Sequence, residues 1–328
     1  NIQYWNLTEG YLINVDADVE ATYVGEQIPF DTDIPLEEGW NYIAYLPTYE
    51  LDANRPDYYT LSPIIDHVII AKDGEGHFML PGEFEFSNMP PWRETQGYQV
   101  RVDDDVVLNY PPEREENVVA RKKETKQSQK LDHFVCNDVT GENMSVLISS
   151  INGIIAHAGS EIAALNHDGH IVGSGIINPA GQCGLAVWGD DPTTDQCDGL
   201  QIGEVFTLML WEAKLDREFE LTHETNMEGN RLIYETDGLS ILEMEIEASI
   251  PDEFFLSDAY PNPFNASVRL SYGLPEDVVV KISVYDISGR LVSTLISSKF
   301  KAGIHSVIWE SRSSAAGIYF IQMSTGDF

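Results

Sequence analysis

The stretch "WRETQGYQVRVDDDVVLNY" at residues 92–110 decides how this chain is read. Its centre, "YQVRVD", alternates apolar and polar residues and stops at Asp, the period of a half-buried β-strand. A second stretch, "WNLTEGYLINVDADVEATY" at residues 5–23, aligns with it without a gap at a constant offset of 87 residues. The shared positions are Trp5/Trp92, Thr8/Thr95, Gly10/Gly97, Tyr11/Tyr98, Val15/Val102, Asp16/Asp103, Asp18/Asp105, Val19/Val106 and Tyr23/Tyr110. One register for so many matches reads as an internal repeat. Nothing before the first copy matches the residues that precede Trp92, so the chain reads as entering part-way through a module.

The alternating pattern recurs along the sequence in "VIIAKD", "EIAALN", "HIVGSGII", "GLAVWG", "VFTLMLWEA", "EFELTHE", "VVVKISVYDI", "SVIWE" and "IYFIQM". Gly, Asp, Asn or Pro bound each run, which predicts an all-β, multi-domain chain of β-sandwich or Ig-like modules. One short helical segment is expected at 56–68. Three blocks follow: a repeat-type module over 1–112, a β-sandwich over 133–250, and a smaller domain over 255–328. Between the first two, residues 113–132, "EREENVVARKKETKQSQKLD", have the composition of a charged linker.

The chain has 328 residues, 43% of them hydrophobic and 10% aromatic, the composition of a folded protein with room for several cores. Against 54 acidic residues stand 19 basic ones, a formal net charge of −35. That surface repels nucleic acid and anionic membranes, and it makes divalent-cation binding worth seeking. No apolar run has the length of a transmembrane helix. The sequence opens at Asn1 with neither Met nor a signal-peptide pattern, which reads as a processed start. Of three cysteines, Cys183 and Cys197 flank one loop and form the candidate disulfide for an oxidising compartment, leaving Cys136 over.

The third block carries a more specific signal. Its residues Tyr260-Pro261-Asn262-Pro263-Phe264-Asn265, Leu274-Pro275, Val284-Tyr285-Asp286, Gly289-Arg290, Ala302-Gly303, Trp309 and Gly317-Ile318-Tyr319 resemble the C-terminal type IX secretion (Por) sorting domain of Bacteroidetes and related phyla. This domain is similar to the Ig-like domain of flagellar hook-capping proteins. The resemblance implies export across an outer membrane, then release or attachment at the cell surface. Domains of this kind carry a further basic strand after the Gly-Ile-Tyr strand. Here "STGDF" follows instead, which reads as a trimmed tail, a tail removed on export, or a gap for strand addition by a neighbour. The two upstream blocks resemble β modules that recur in large secreted surface proteins of such bacteria.

Candidate chemistry is sparse. The loop "WGDDPTTDQCDGLQIGE" gathers Asp190, Asp191, Asp195, Asp198 and Glu204, hard oxygen donors suited to calcium, without EF-hand spacing. Asp side chains in such a turn also bond their own backbone. "VDADVE" and "VDDDVV" place alternate Asp residues on one strand face, a weaker cation candidate. His133 and Cys136 stand three apart, but no close Cys pair completes a zinc set. "HDGH" at 167–170 reads as a surface turn. "VGSGI" lacks the spacing of a nucleophile elbow, so no catalytic role is expected. The tryptophans are expected in cores.

These readings converge on a secreted, non-catalytic structural protein of the cell surface, expected to self-assemble into an extracellular filament or layer or to join other surface proteins. The alternatives are the non-catalytic C-terminal region of a secreted hydrolase, and an adhesin for carbohydrate or another surface.

Overall fold

A computed structural model describes residues 6, 8–11, 20, 26–114, 131–137, 139–191, 198–222, 232–246, 250–251, 253–260, 262–264, 267–311 and 316–326. Most of the expected linker and the "VDADVE" segment lie outside the described residues.

The first unit contains β1 (Ile34–Leu36), β2 (Gly39–Ile43), β3 (Val68–Asp73), β4 (Phe78–Leu80), β5 (Phe86–Ser87), β6 (Tyr98–Val102) and β7 (Val106–Leu108). They form a five-stranded sheet in the order β2-β6-β3-β4-β5 and a separate β1-β7 pair. A 3₁₀ helix, Tyr59–His67, occupies the segment expected to be helical. Along β6, Tyr98, Val100 and Val102 are buried while Gln99 and Arg101 are more exposed, as the alternation requires. Their core is aromatic. Trp92 is fully buried and stacks on Tyr98 with ring centroids 3.9 Å apart, and Tyr45 meets both rings and Tyr110 edge-on.

The second unit comprises β8 (Asn143–Asn152), β9 (Glu161–Leu165), β10 (Ile171–Ile176), β11 (Cys183–Trp188), β12 (Thr207–Glu212), β13 (Arg217–Thr222) and β14 (Leu239–Ile246). Read as a sandwich, it is instead a closed barrel among the described residues, in the order β10-β11-β8-β14-β13-β12-β9. Closure comes from β14 returning parallel to β8, and from β9 pairing with both β10 and β12. Alternation shows which face of a strand is apolar, not which strand it pairs with, so this ring is invisible to it. Val146, Ile148, Ile162, Leu185, Val187, Leu208 and Leu210 fill the interior.

Strands β8 and β11 are buried on both faces, and the reason lies outside the barrel. Phe78, Phe86, Ile70 and Leu80 of the first unit pack against Leu147, with Leu239 and Ile241 alongside. The two Phe rings lie over Gly184, where a Cβ would stand 2.3 Å from Phe86 and 2.9 Å from Phe78. Asn88 Nδ2 donates to the Gly184 carbonyl at 3.2 Å, and Gln182 Nε2 to that of Phe84 at 3.2 Å. Beside this patch Lys72, with 3% of its side chain exposed, pairs with Asp237, reaches Asn143 Oδ1 at 3.3 Å and lies 5.0 Å from the Trp40 ring centre.

The third unit stacks two three-stranded sheets, β15 (Phe255–Leu256), β16 (Ser267–Leu274) and β19 (Gly303–Glu310) against β18 (Leu291–Phe300), β17 (Val278–Asp286) and β20 (Tyr319–Ser324). Leu270, Tyr272, Leu274, Val280, Ile282 and Met323 make its core. It meets the barrel through Ile155 N donating to Ser271 Oγ at 3.1 Å, Tyr260 Oη donating to the Pro179 carbonyl at 3.3 Å, and Ile304 packed on the barrel core.

The Lys72–Asp237 pair gives a test of the first junction. A buried ammonium stripped of its counter-charge is destabilising, whereas an apolar replacement of the cation is nearly neutral. Asp237→Asn is therefore expected to lower stability by about 2 kcal/mol and Lys72→Met by less than about 1 kcal/mol, read from urea midpoints. Equal losses would contradict the buried-charge reading.

Candidate functional site

The acidic loop after β11 was the strongest cation candidate. Two of its carboxylates are turned onto the loop's own backbone: Asp190 Oδ1 accepts the Asp198 amide at 3.1 Å, and Asp198 Oδ1 accepts the Asp191 amide at 2.9 Å. Glu204 accepts from the Gln201 amide at 3.0 Å and faces His167 Nδ1 at 3.2 Å. Asp195 lies outside the described residues. No group of three or more His, Cys, Asp or Glu positioned to hold a metal ion occurs among the described residues. In "VDDDVV", Asp103 contacts His67 at 2.9 Å and Asp105 accepts the Glu38 amide at 2.9 Å, so the two carboxylates serve different partners.

Cys183 faces the barrel interior as a free thiol, fully buried, and burial pushes its pKa far up. It sits among the core residues of the barrel, and its expected disulfide partner is Cys197. Cys197 lies outside the described residues. His133 and Cys136 do not converge. The His133 ring stacks on Trp211 at 4.6 Å and meets Glu218 at 2.7 Å, while Cys136 Sγ donates to the Ile171 carbonyl at 3.7 Å. "HDGH" is an exposed turn capped by Asn166, whose Oδ1 accepts the Asp168 and His170 amides at 3.1 and 2.9 Å. Trp92 and Trp188 are buried as expected, Trp40 and Trp211 are partly covered, and Trp5 lies outside the described residues.

Two buried carboxylates escaped sequence reasoning. Glu161 accepts the amides of Asp132, His133 and Phe134 at 2.7 to 3.2 Å, pinning the chain where it enters the barrel. Glu212, fully buried, receives His157 Nδ1 at 2.6 Å and the Ser160 hydroxyl. The Ser160 hydroxyl and the His157 ring both bond the carboxylate, and serine and histidine meet only through their backbones, so this is no nucleophile–base relay. The His157 ring meets Tyr260 of the third unit edge-on at 5.5 Å, placing the cluster at the second junction. Burial pushes the Glu212 carboxyl up, but hydrogen bonds from His157 and Ser160, helped by the His157 ring and the Lys214 amide, hold it below the usual range.

The third unit explains its own motif. Phe264, Trp309 and Tyr319 come together, with Trp309 5.4 Å from Phe264 and 4.9 Å from Tyr319, over Val268 and Val284. Asp286 closes the β17–β18 turn: its Oδ1 accepts from Ser288 N, Ser288 Oγ and Arg290 N, and its Oδ2 from Arg290 Nε. Led by the Ser288 hydroxyl, these donors hold the Asp286 carboxyl down to about 2. Gly289 supplies the left-handed position, φ 79°. Residues 258–328 match the family model of the secretion system C-terminal sorting domain.

The third unit is a type IX sorting domain. This sorting domain marks the chain for export and for a place at the cell surface or outside the cell. No curated protein matches the chain. Among solved structures, dimeric latent PorU from Porphyromonas gingivalis is similar over 80% of this chain and 28% of its own, at 9% identity and a TM-score of 0.21. The chain thus spans little more than a quarter of that protein, and so low a score carries no structural argument. Beside the sorting domain's turn, Ile287, Leu291, Ile318 and Phe320 stand exposed.

Because the Glu212 pKa is lowered on folding, its contribution is present above the ordinary glutamate range and is lost as pH falls through the folded value. Glu212→Gln is expected to destabilise the barrel at pH 7 and to flatten the loss of stability between pH 5 and pH 3, followed by urea unfolding at each pH. An unchanged acid profile would contradict the assignment. Native Cys183 is expected to resist alkylation at pH 8 and to react only after unfolding.

Proposed function

We propose that the chain is a structural subunit of an extracellular filament or layer, with a mechanical role and no catalytic one. Its sorting domain delivers it to the surface, and the two units upstream form the body. The observation that carries this reading is the first junction, where Phe78 and Phe86 enter the barrel wall at Gly184 beside a buried Lys72–Asp237 pair. Domains tethered for independent motion meet through smaller, more polar contacts. A junction packed like a core transmits force and orientation from one unit to the next.

The carbohydrate-adhesin alternative would draw on an accessible row of aromatics. Burial of Trp92 and Trp188 speaks against that use of them. The net charge of −35 also fits a protein crowded at a surface, where self-repulsion keeps copies soluble until specific contacts form.

Electron microscopy of the natively purified protein, with and without a calcium chelator, tests the proposal. Regular filaments or sheets are expected, and dispersed monomers under both conditions would remove the assembly reading. Loss of order on chelation alone would add cation bridging to the contacts between copies.

A further inference from the structure

The two repeat stretches share one backbone-to-tyrosine bond but are seated differently: Trp92 of the second exchanges backbone bonds with Leu51 and its strand β6 lies between β2 and β3, while the turn joining them stays at the surface. In the first, the Asn6 amide donates to Tyr11 Oη at 2.7 Å; in the second, the Arg93 amide donates to Tyr98 Oη at 2.9 Å. The offset of 87 residues is preserved in both partners. The first turn lies on the outer edge of β2, whose other edge is paired with β6. There the Gly10 amide donates to the Tyr42 carbonyl at 2.9 Å, and the Ala44 amide donates to the Thr8 carbonyl at 3.3 Å. A Cβ on residue 10 would stand 2.8 Å from the Ile43 carbonyl oxygen, so this docking requires glycine.

The second turn has the same glycine and no such reason for it. Around Gly97 nothing lies within 4 Å of a built Cβ, and its φ is outside the left-handed region. Arg93, Glu94, Thr95 and Gly97 are all exposed. Inside the chain any small residue would serve at position 97, and glycine there costs backbone entropy in the unfolded state. The requirement met at Gly10 supplies the missing reason.

We infer that the turn at 93–97 is a docking element for the outer edge of β2 in a second copy of this chain. Gly97 N would donate to Tyr42 O of that copy, and Thr95 O would accept from Ala44 N, reproducing the pair made by Gly10 and Thr8. The second copy releases its own turn to receive the incoming one, so bonds are exchanged one for one and assembly follows concentration. The contact is head-to-tail, because donor and acceptor are different surfaces, and repetition makes an open chain of copies. This rests on the proposed structural role and names the surface that would serve it.

Sedimentation velocity of the full chain at rising concentration, in about 0.15 M salt to screen the acidic surface, tests it. Wild type is expected to self-associate. Gly97→Val is expected to weaken that association roughly tenfold or more, the worth of two backbone hydrogen bonds and a tight approach, with an unchanged Tm. Gly10→Val, which frees the acceptor edge, is expected to strengthen it. If Gly10→Val fails to fold, the comparison of wild type with Gly97→Val still decides. Association by Gly97→Val equal to wild type, or a wild type that stays monomeric at every concentration, would overturn the inference. Filaments that persist in Gly97→Val would retain assembly and remove this turn from it.

Discussion

The packing of Phe78 and Phe86 over Gly184 is the contact on which the arrangement of the chain depends. A barrel strand with side chains on both faces would hold the first unit off by the thickness of a residue. With hydrogen at position 184, two aromatic rings reach the barrel wall, each contributing roughly 2 kcal/mol or more of burial. The same approach encloses Lys72, and enclosure makes Asp237 necessary, since an ammonium without a counter-charge is not tolerated there. Strands β8 and β11 then read as apolar on both faces, one face for the barrel and one for its neighbour.

Much of the strand content was legible in the sequence. "VIIAKD", "YQVRV", "EIAAL", "VVVKISVYD" and "YFIQM" each became a strand over nearly the residues their alternation marks, and the sorting motif carried its own turn chemistry. Barrel closure was not legible, because β14 finds β8 across almost a hundred residues by long-range pairing that leaves no local mark. The continuous burial of "GLAVW" held the missing hint: a strand apolar on both faces needs a cover on both.

Charge was harder to read than apolar pattern. In so acidic a chain Asp190 and Asp198 look like cation ligands, yet each carboxylate answers a backbone amide of the same loop, the ordinary use of Asp in a turn. The polar residues that matter to the interior are the rare ones inside strand patterns: Lys72 in "VIIAKD" and Glu212 in "TLMLWE". A charge placed where alternation demands an apolar residue is the signal that could have found both, because burial forces such a group to have a partner.

Native-state hydrogen exchange across a denaturant series tests most directly whether the first unit and the barrel form one mechanical body. If they do, amides of β3, β4 and β5 share the opening free energy and denaturant dependence of amides in β8 and β11. Exchange of the first unit at clearly lower denaturant than the barrel would show two bodies on a tether, and would contradict a stiff subunit.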